Sequence, residues 1–229
     1  MPTLWEMLKK KVSGEEEEQE EPLELQFHNP LQLEIAHTVK LDVIDTDGVD
    51  LGPLNFDVRQ IREVKRVIGD QTFFFVDYDL LGRSLAGDEI RKRLRLIPME
   101  NPDAETTHDV LLLNRFDEFA YHEEFVKGLA FDQNNGEFYE QEFEATYWRP
   151  EGVEEPWDAR TAYIRDADSD GKVEEDEIRI GTLRYWDFGR DTEDDGGNTI
   201  TEWYMVEMDE NGYLEIWIGA EINPTRISV

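Results

Sequence analysis

The chain of 229 residues contains no cysteine. This absence excludes disulfides, metal sites built on thiolates and cysteine nucleophiles. Long apolar runs are also absent, since no stretch approaches the roughly 20 residues that a membrane-spanning helix needs. The first five residues, Met1 to Trp5, do not begin the apolar centre of a signal peptide. We therefore expect a cytoplasmic protein without a transmembrane span.

Basic residues are scarce, because 23 Lys and Arg stand against 55 Asp and Glu, which gives a net charge of −32. Such a surface repels the phosphates of nucleic acids, so we expect no nucleic-acid partner. Cationic partners and divalent metal ions remain open. Salt screens the self-repulsion of so much charge. The composition therefore indicates either adaptation to a saline habitat or an ordinary acidic bacterial protein.

Recognisable catalytic motifs are lacking too. The four histidines show no spacing typical of paired metal ligands, no serine stands in a nucleophile elbow, and no glycine-rich phosphate loop occurs. Carboxylate pairs are numerous, but in so acidic a chain their abundance removes their value as a sign of glycoside hydrolysis. A non-enzymatic protein is favoured over an enzyme.

The chain does contain alternating apolar and polar residues. This alternation predicts β-strands in the segments 31–81 and 138–218. The sequence Asp209-Glu210-Asn211-Gly212 predicts a hairpin turn, because Asn-Gly adopts the positive φ angles of tight turns. We expect a mainly β fold, with α+β as the alternative. Its antiparallel sheets would form one large or two small β subdomains.

One segment, 109–128, is more typical of a short helix. Apolar side chains from Leu111 to Phe125 partly follow helical spacing, and Gly128 is a suitable terminator. A joint containing proline and glycine at 149–156 is the best internal boundary. The predicted organisation is a short amphipathic segment and acidic linker at 1–22, a β-rich part at 23–148 and a second β-rich part at 149–229.

The N-terminal segment differs in character from the rest of the chain. Leu4, Trp5, Met7 and Leu8 precede three lysines, and an acidic run follows at 15–18. This pattern predicts a short amphipathic helix on an extended linker. The helix would dock to an unknown protein partner, and a membrane-associated partner would place the protein at the membrane periphery. A frayed tail is the other interpretation.

Residues 166–177 fit the twelve-residue calcium-loop template, with Gly171 at the sharp turn. Ca²⁺ prefers six to eight oxygen ligands, and the loop offers them at alternating positions. The predicted metal ligands are Asp166, Asp168, Asp170, Lys172 through its carbonyl, Glu174 and Glu177.

The residues on both sides of this loop have the pattern of strands, whereas an EF-hand has helices there. A calcium ion would therefore act as a structural clamp and not as a sensor. Because acidic residues are so common in this chain, an acidic turn that binds no metal is equally open. No other cofactor is expected.

Several blocks of the chain resemble the YjfK-like family of bacterial proteins. These blocks are the aromatic and basic start at 4–10, the opening at 29–34, the strand pair at 56–81, and the ending at 202–208 and 215–224. The resemblance implies a mainly β fold and brings no catalytic residues. It also implies an accessory role near membranes, since family members tend to occur beside membrane-stress proteins.

Two functions follow from the sequence. The first is a non-enzymatic accessory or interaction protein, with or without a structural calcium site. The alternative is a carboxylate-based enzyme acting on a cationic or carbohydrate substrate. A deep pocket with two isolated carboxylates would favour the enzyme, and a shallow surface with an exposed apolar patch would favour the interaction protein.

Overall fold

Strands dominate the described part of the chain, and the expected mainly β fold is confirmed. The computed structural model describes residues 30–44, 50–68, 71–84, 86–98, 108–129, 137–140, 144–148, 158–166, 178–193, 197, 199–223 and 227–228. These residues form twelve strands and one helix: β1 (Thr38–Ile44), β2 (Asp50–Ile68), β3 (Gln71–Arg83), β4 (Glu89–Pro98), β5 (His108–Ala120), α1 (Glu123–Gly128), β6 (Glu137–Glu140), β7 (Ala145–Trp148), β8 (Asp158–Asp166), β9 (Arg179–Glu193), β10 (Thr199–Met208), β11 (Tyr213–Glu221) and β12 (Ile227–Ser228).

Eight of these strands form a closed ring in which every pairing is antiparallel. Their order around the ring is β2-β3-β4-β5-β11-β10-β9-β8. Strand β8 closes the ring because one of its edges pairs with β2 and the other with β9. The ring therefore includes strands from both sides of the expected joint at 149–156. That joint and the segment 1–22 lie outside the described residues.

The two longest strands, β2 and β9, make closure possible. On one edge, β2 pairs with β1 through its first half and with β8 through its second half. In the same way, β9 pairs with β8 up to Tyr185 and with β7 at Gly189. Each long strand thus belongs both to the ring and to an extension of the sheet. The extension beside β2 contains β1 and then β12, and the extension beside β9 contains β7 and then β6.

Apolar side chains cover the outside of the ring in two clusters. The first lies on β2 to β5, with Val76, Tyr78 and Leu94 among its members, and is covered by β1 and the segment around Leu33 and Ile35. The second lies on the outer face of β9, β10 and β11 and is covered by α1 and β7. Successive strand residues point to opposite faces. The alternate residues of the same strands therefore point into the ring.

The helix expected within 109–128 is confined to α1, since 109–120 belongs to β5. The run of leucines there is continuous because both faces of the strand are buried. Leu111 and Leu113 pack inside the ring, whereas Leu112 packs against the outer cluster. A strand buried on both faces loses the alternation that marks an exposed strand.

Two further local predictions have clear outcomes. The turn at 209–212 joins β10 to β11 as predicted, with Gly212 at φ 79°. The single strand expected over 138–148 is instead a hairpin of β6 and β7, and Glu144 just before β7 has φ 48°. The helix α1 has six residues, and among the described helices none has the length and hydropathy to cross a membrane.

Candidate functional site

Among the described residues, the ion-pair network inside the ring contains equal numbers of charges of each sign. Five arginines and five carboxylates point inward at successive levels: Arg62, Arg93, Arg95, Arg115 and Arg160, and Asp77, Asp79, Asp187, Glu207 and Glu215. A charge buried without a partner is very costly. Equal numbers allow each charge in the interior to be balanced by an opposite one.

Strand register places acids directly opposite bases on β3 and β4. Asp77 pairs with Arg95 and Asp79 with Arg93 along the ladder. Arg95 donates from Nε to Asp77 Oδ1 at 2.8 Å and from Nη2 to Oδ2 at 3.0 Å, which is a bidentate contact. Arg93 makes the same kind of contact with Asp79, at 2.5 and 3.1 Å. Fork-to-fork pairs of this kind are the strongest protein ion pairs.

Glu207 connects opposite sides of the ring. It lies on β10, four positions around the ring from β3. Its carboxylate accepts hydrogen bonds from Arg62 on β2, with Nη2 at 3.2 Å from Oε2, and from Arg93 Nη1 on β4 at 2.9 Å. Arg62 Nη2 also donates to Asp77 Oδ2 at 3.1 Å. The charges therefore form one continuous network across the centre of the ring.

The network keeps Glu207 and Asp77 ionised. Burial is the largest influence and raises the pKa of Glu207, but the charges of Arg62 and Arg93 together outweigh it and hold the pKa below its ordinary value. The pKa of Asp77 is lowered in the same way, against burial, chiefly by Arg95 and Arg93. The buried carboxylates are thus acceptors at neutral pH and not proton donors.

Aromatic rings stack on three arginines of the network. Arg93 stacks on Trp217 and Arg95 on Phe75, each with its guanidinium carbon 3.8 Å from the ring centroid. Arg160, which also pairs with Asp187, stacks on Tyr185 at 4.3 Å. Cation–π contacts of this kind gain strength when both partners are desolvated.

On the other side of the network, the ring opens into a cavity of about 690 Å³. All eight ring strands contribute to its wall. Its floor is formed by members of the network, including Arg62, Asp79 and Glu207, and its rim includes Arg91, Arg179 and Tyr213. A volume of 300–1,000 Å³ is typical of sites for small organic ligands. The cavity is the candidate functional site.

The carboxylates that line this cavity are all engaged. Asp79 and Glu207 accept from arginines as described, and Glu215 accepts from Arg115 Nη2 at 3.1 Å and from Arg93 Nη2 at 3.4 Å. Asp209 accepts backbone hydrogen bonds from Asn211 at 2.9 Å and Tyr213 at 2.8 Å in its own turn. An enzyme with a carboxylate pair needs one acid with a raised pKa and one free base. Among the described residues that line the cavity, each carboxylate is instead engaged by an arginine or by backbone amides, and the wall offers hydrogen-bond donors and acceptors to a ligand.

Of the predicted calcium ligands, only Asp166 falls within the described residues. Asp166 is the last residue of β8, and the other five, from Asp168 to Glu177, lie outside the described residues, so the calcium loop stays a prediction. Within the described ranges, no group of three or more His, Asp or Glu side chains is placed to hold a metal ion. Ile164 and Arg179, which are described residues on either side of this segment of the sequence, both line the cavity.

The interior network was not predicted from the sequence, although the network leaves a signal in the sequence of β3 and β4. The arginines of β4 alternate with Leu94 and Leu96, and the preceding strand has Asp77 and Asp79 two residues apart. Acids on one strand and bases on the next, both with a period of two, predict facing charged pairs in an antiparallel hairpin. The pattern could have suggested a strand pair with a charged face.

Comparison of the chain with protein-family models, curated proteins and solved structures finds no match. The resemblance to the YjfK-like family therefore stays a prediction.

Proposed function

We propose that the protein is a non-enzymatic accessory protein that binds a small molecule in the cavity at the open end of the strand ring. The observation that supports this proposal best is the cavity itself, with its floor of mutually paired charges. Rigid, preorganised polar groups on an otherwise enclosed wall are typical of binding sites. The engaged state of the cavity carboxylates argues against the alternative of a carboxylate-based enzyme.

A cavity-filling variant tests the proposal. Gly181 on β9 lies between Arg179 and Leu183 on the face that points into the ring. A Cβ atom at this position would meet only Ile164 Cδ1 among the described atoms, at 3.8 Å, which is ordinary contact. Gly181→Phe should therefore place a ring in the cavity without displacing the strand. Its neighbour Thr182 is exposed and points outward, so Thr182→Phe is a matched control.

The measurement is ligand binding by the purified full chain. Small-molecule libraries are screened by thermal shift, and hits are confirmed by calorimetric titration against both variants. We expect binding to be lost in Gly181→Phe and kept in Thr182→Phe. Hits that bind both variants equally would place the ligand elsewhere and refute the proposal, and so would a screen of broad chemistry without any hit. Gly181→Leu provides a smaller plug if the phenylalanine prevents folding.

A further inference from the structure

We propose that the ligand of the cavity is a small organic molecule without net charge, which carries hydrogen-bonding groups on an apolar body. This inference rests on the proposed binding function and assigns the chemical class of the ligand. It follows from the compensation of the wall charges within the protein, from the donors that the paired charges still offer, and from the apolar part of the wall.

The arginines that line the cavity are compensated from behind. Six basic and four acidic residues form the lining. Three of the arginines, however, pair with acids that are not part of the lining. These pairs are Arg59 with Asp57, Arg91 with Glu89, and Arg115 with Glu118. With these three acids counted, the wall has no basic excess, and a ligand that enters the cavity meets paired charges of both signs.

The other charged residues of the lining are engaged as well. Those of the floor belong to the ion-pair network described above. Lys92 donates a hydrogen bond from Nζ to Asn114 Oδ1, and Arg179 also has interaction partners. Asp209 accepts hydrogen bonds from the backbone of its own turn. Every charged residue in the described lining is therefore engaged before a ligand binds.

A ligand with a net charge would lose hydration in this cavity without gaining a free counter-charge. Moving an ion from water into a partly enclosed site is costly unless an opposite charge is available to pair with it. An anion would have to compete with acids such as Glu89, and a cation would have to compete with arginines such as Arg93. An uncharged ligand avoids this cost, because it neither adds a charge nor separates an existing pair.

The paired charges still offer hydrogen bonds to an uncharged ligand. Arg91 donates from Nε to Glu89, whereas a guanidinium group has five N–H donors in all. The hydroxyl of Tyr213 can both donate and accept, and this rim side chain is 41% exposed. Hydroxyl, amide or sulfonamide groups of a ligand can therefore bind here while the ion pairs of the wall stay intact.

The rest of the wall is apolar. Leu81, Ile164, Leu183 and Trp217 lie among the charged positions of the lining. Removal of apolar surface from water favours binding. A ligand that is polar all over would leave these side chains facing water, so the wall favours a molecule with an apolar body as well as hydrogen-bonding groups.

Three dyes with the same aromatic body test the requirement for an uncharged ligand. All carry the 5-dimethylaminonaphthalene-1-sulfonyl group. The simple sulfonamide is uncharged at pH 7, the glycine derivative is anionic and the ethylenediamine derivative is cationic. Each dye is titrated by fluorescence into the full chain at about 1 M salt, where the screening length of about 3 Å suppresses the long-range effect of the net charge of −32. We expect one uncharged dye to bind per chain, at least about tenfold more tightly than either charged dye.

A matched pair of variants tests the compensation of charge directly. Glu215→Gln removes one acid from the lining, where its carboxylate accepts from Arg115 Nη2 at 3.1 Å. Since Arg115 and Arg93 then share one acid fewer, the anionic dye should gain about tenfold in affinity and the uncharged dye should change little. Glu221→Gln removes the same charge from the exposed end of the same strand, outside the lining, and should change neither dye.

The cavity variants locate the bound dye. Binding of the uncharged dye should be lost in Gly181→Phe, because the added ring occupies the cavity, and it should be retained in Thr182→Phe, because that ring points outward.

The outcomes separate the two proposals. If a charged dye binds the parent as tightly as the uncharged dye, and Gly181→Phe abolishes the binding of both, the cavity binds ligands but the inference of an uncharged ligand is wrong. If Glu215→Gln and Glu221→Gln have equal effects on the anionic dye, compensation of the wall charges does not set the selectivity, and the inference is also wrong. Dye binding unaffected by Gly181→Phe, or no binding of any of the three dyes to the parent, would refute the proposed function itself.

Discussion

Replacing Glu207 with glutamine tests the charge network that forms the floor of the cavity. The change is nearly isosteric and removes one negative charge from a side chain that is only 6% exposed. The interior then holds five arginines against four carboxylates, and Arg62 and Arg93 lose their shared partner. Breaking a buried ion pair from one side costs about 3–5 kcal/mol, because the remaining charge is left uncompensated.

For a chain of this length, each kcal/mol lowers the thermal midpoint by about 2–4 °C. We therefore expect Glu207→Gln to lower the midpoint by about 6–20 °C at pH 7, measured by circular dichroism at fixed ionic strength. Glu210→Gln is the control, since Glu210 lies exposed in the turn between β10 and β11. Glu210→Gln removes the same charge from a strongly negative surface. The thermal midpoint of this control should therefore stay the same or rise slightly.

A double-mutant cycle separates charge imbalance from lost packing. Arg62→Met restores equal numbers of charges in the Glu207→Gln background. We expect the double variant to be more stable than the sum of the single effects by about 0.5–3 kcal/mol. Additive effects, or equal midpoints for Glu207→Gln and Glu210→Gln, would refute the idea of one connected buried network.

The same variant gives a pH dependence with a definite sign. Although burial raises the pKa of Glu207, Arg62 and Arg93 lower it below its value in the unfolded chain. A group of this kind stabilises the fold above the unfolded pKa, about 4.3 for Glu, and this stabilisation is lost as pH falls through the folded pKa. The stability difference between the parent and Glu207→Gln should therefore be greatest near neutral pH and shrink below about pH 4.

Three further predictions concern other parts of the chain. A Cβ at Gly219 would lie 2.0 Å from the Leu112 carbonyl oxygen, so Gly219→Ala should lower the thermal midpoint, whereas Gly181→Ala should leave it unchanged or raise it. Saturating calcium should raise the midpoint by several degrees over chelator-treated protein at constant ionic strength, magnesium should raise it less, and Glu177→Gln should reduce the calcium-specific increment; equal effects of both ions, together with an unchanged response of Glu177→Gln, would leave only an acidic turn. Deleting residues 1–22 should keep the fold but weaken association with membrane vesicles or a host partner, and unchanged association would exclude a docking role.

The strands could be predicted from the sequence because alternation is a local property. The strand pattern over 199–208 corresponds to β10, and the Asn211-Gly212 pair predicts the turn that follows it. Closure of the ring could not be predicted in this way. It depends on pairing between β2 and β8, in which Arg62 lies opposite Ile164 about a hundred positions along the chain. Register at that separation is set by packing of the whole sheet, which no short window contains.

Alternation also leaves open which face of a strand is inside. On β4, Leu94 and Leu96 belong to the outer apolar cluster, whereas Arg93 and Arg95 point into the ring. The usual rule would place the leucines inside. The outside of this ring is itself covered, by β1 and the segment before it on one side and by α1 and β7 on the other. The two larger apolar clusters therefore lie between the ring and its cover, and the ring interior holds the charges together with two smaller apolar clusters.

This division of the two faces gives a physical reason for linking the network to binding. Buried ion pairs contribute little net stability compared with apolar side chains of similar volume, so the stability of the fold does not require arginines and carboxylates inside the ring. The two outer clusters already bury large side chains such as Tyr78, Trp186 and Tyr204. A floor of paired charges does provide fixed donors and acceptors at the bottom of a cavity, held from several strands at once. We interpret the network as the rigid base of the site.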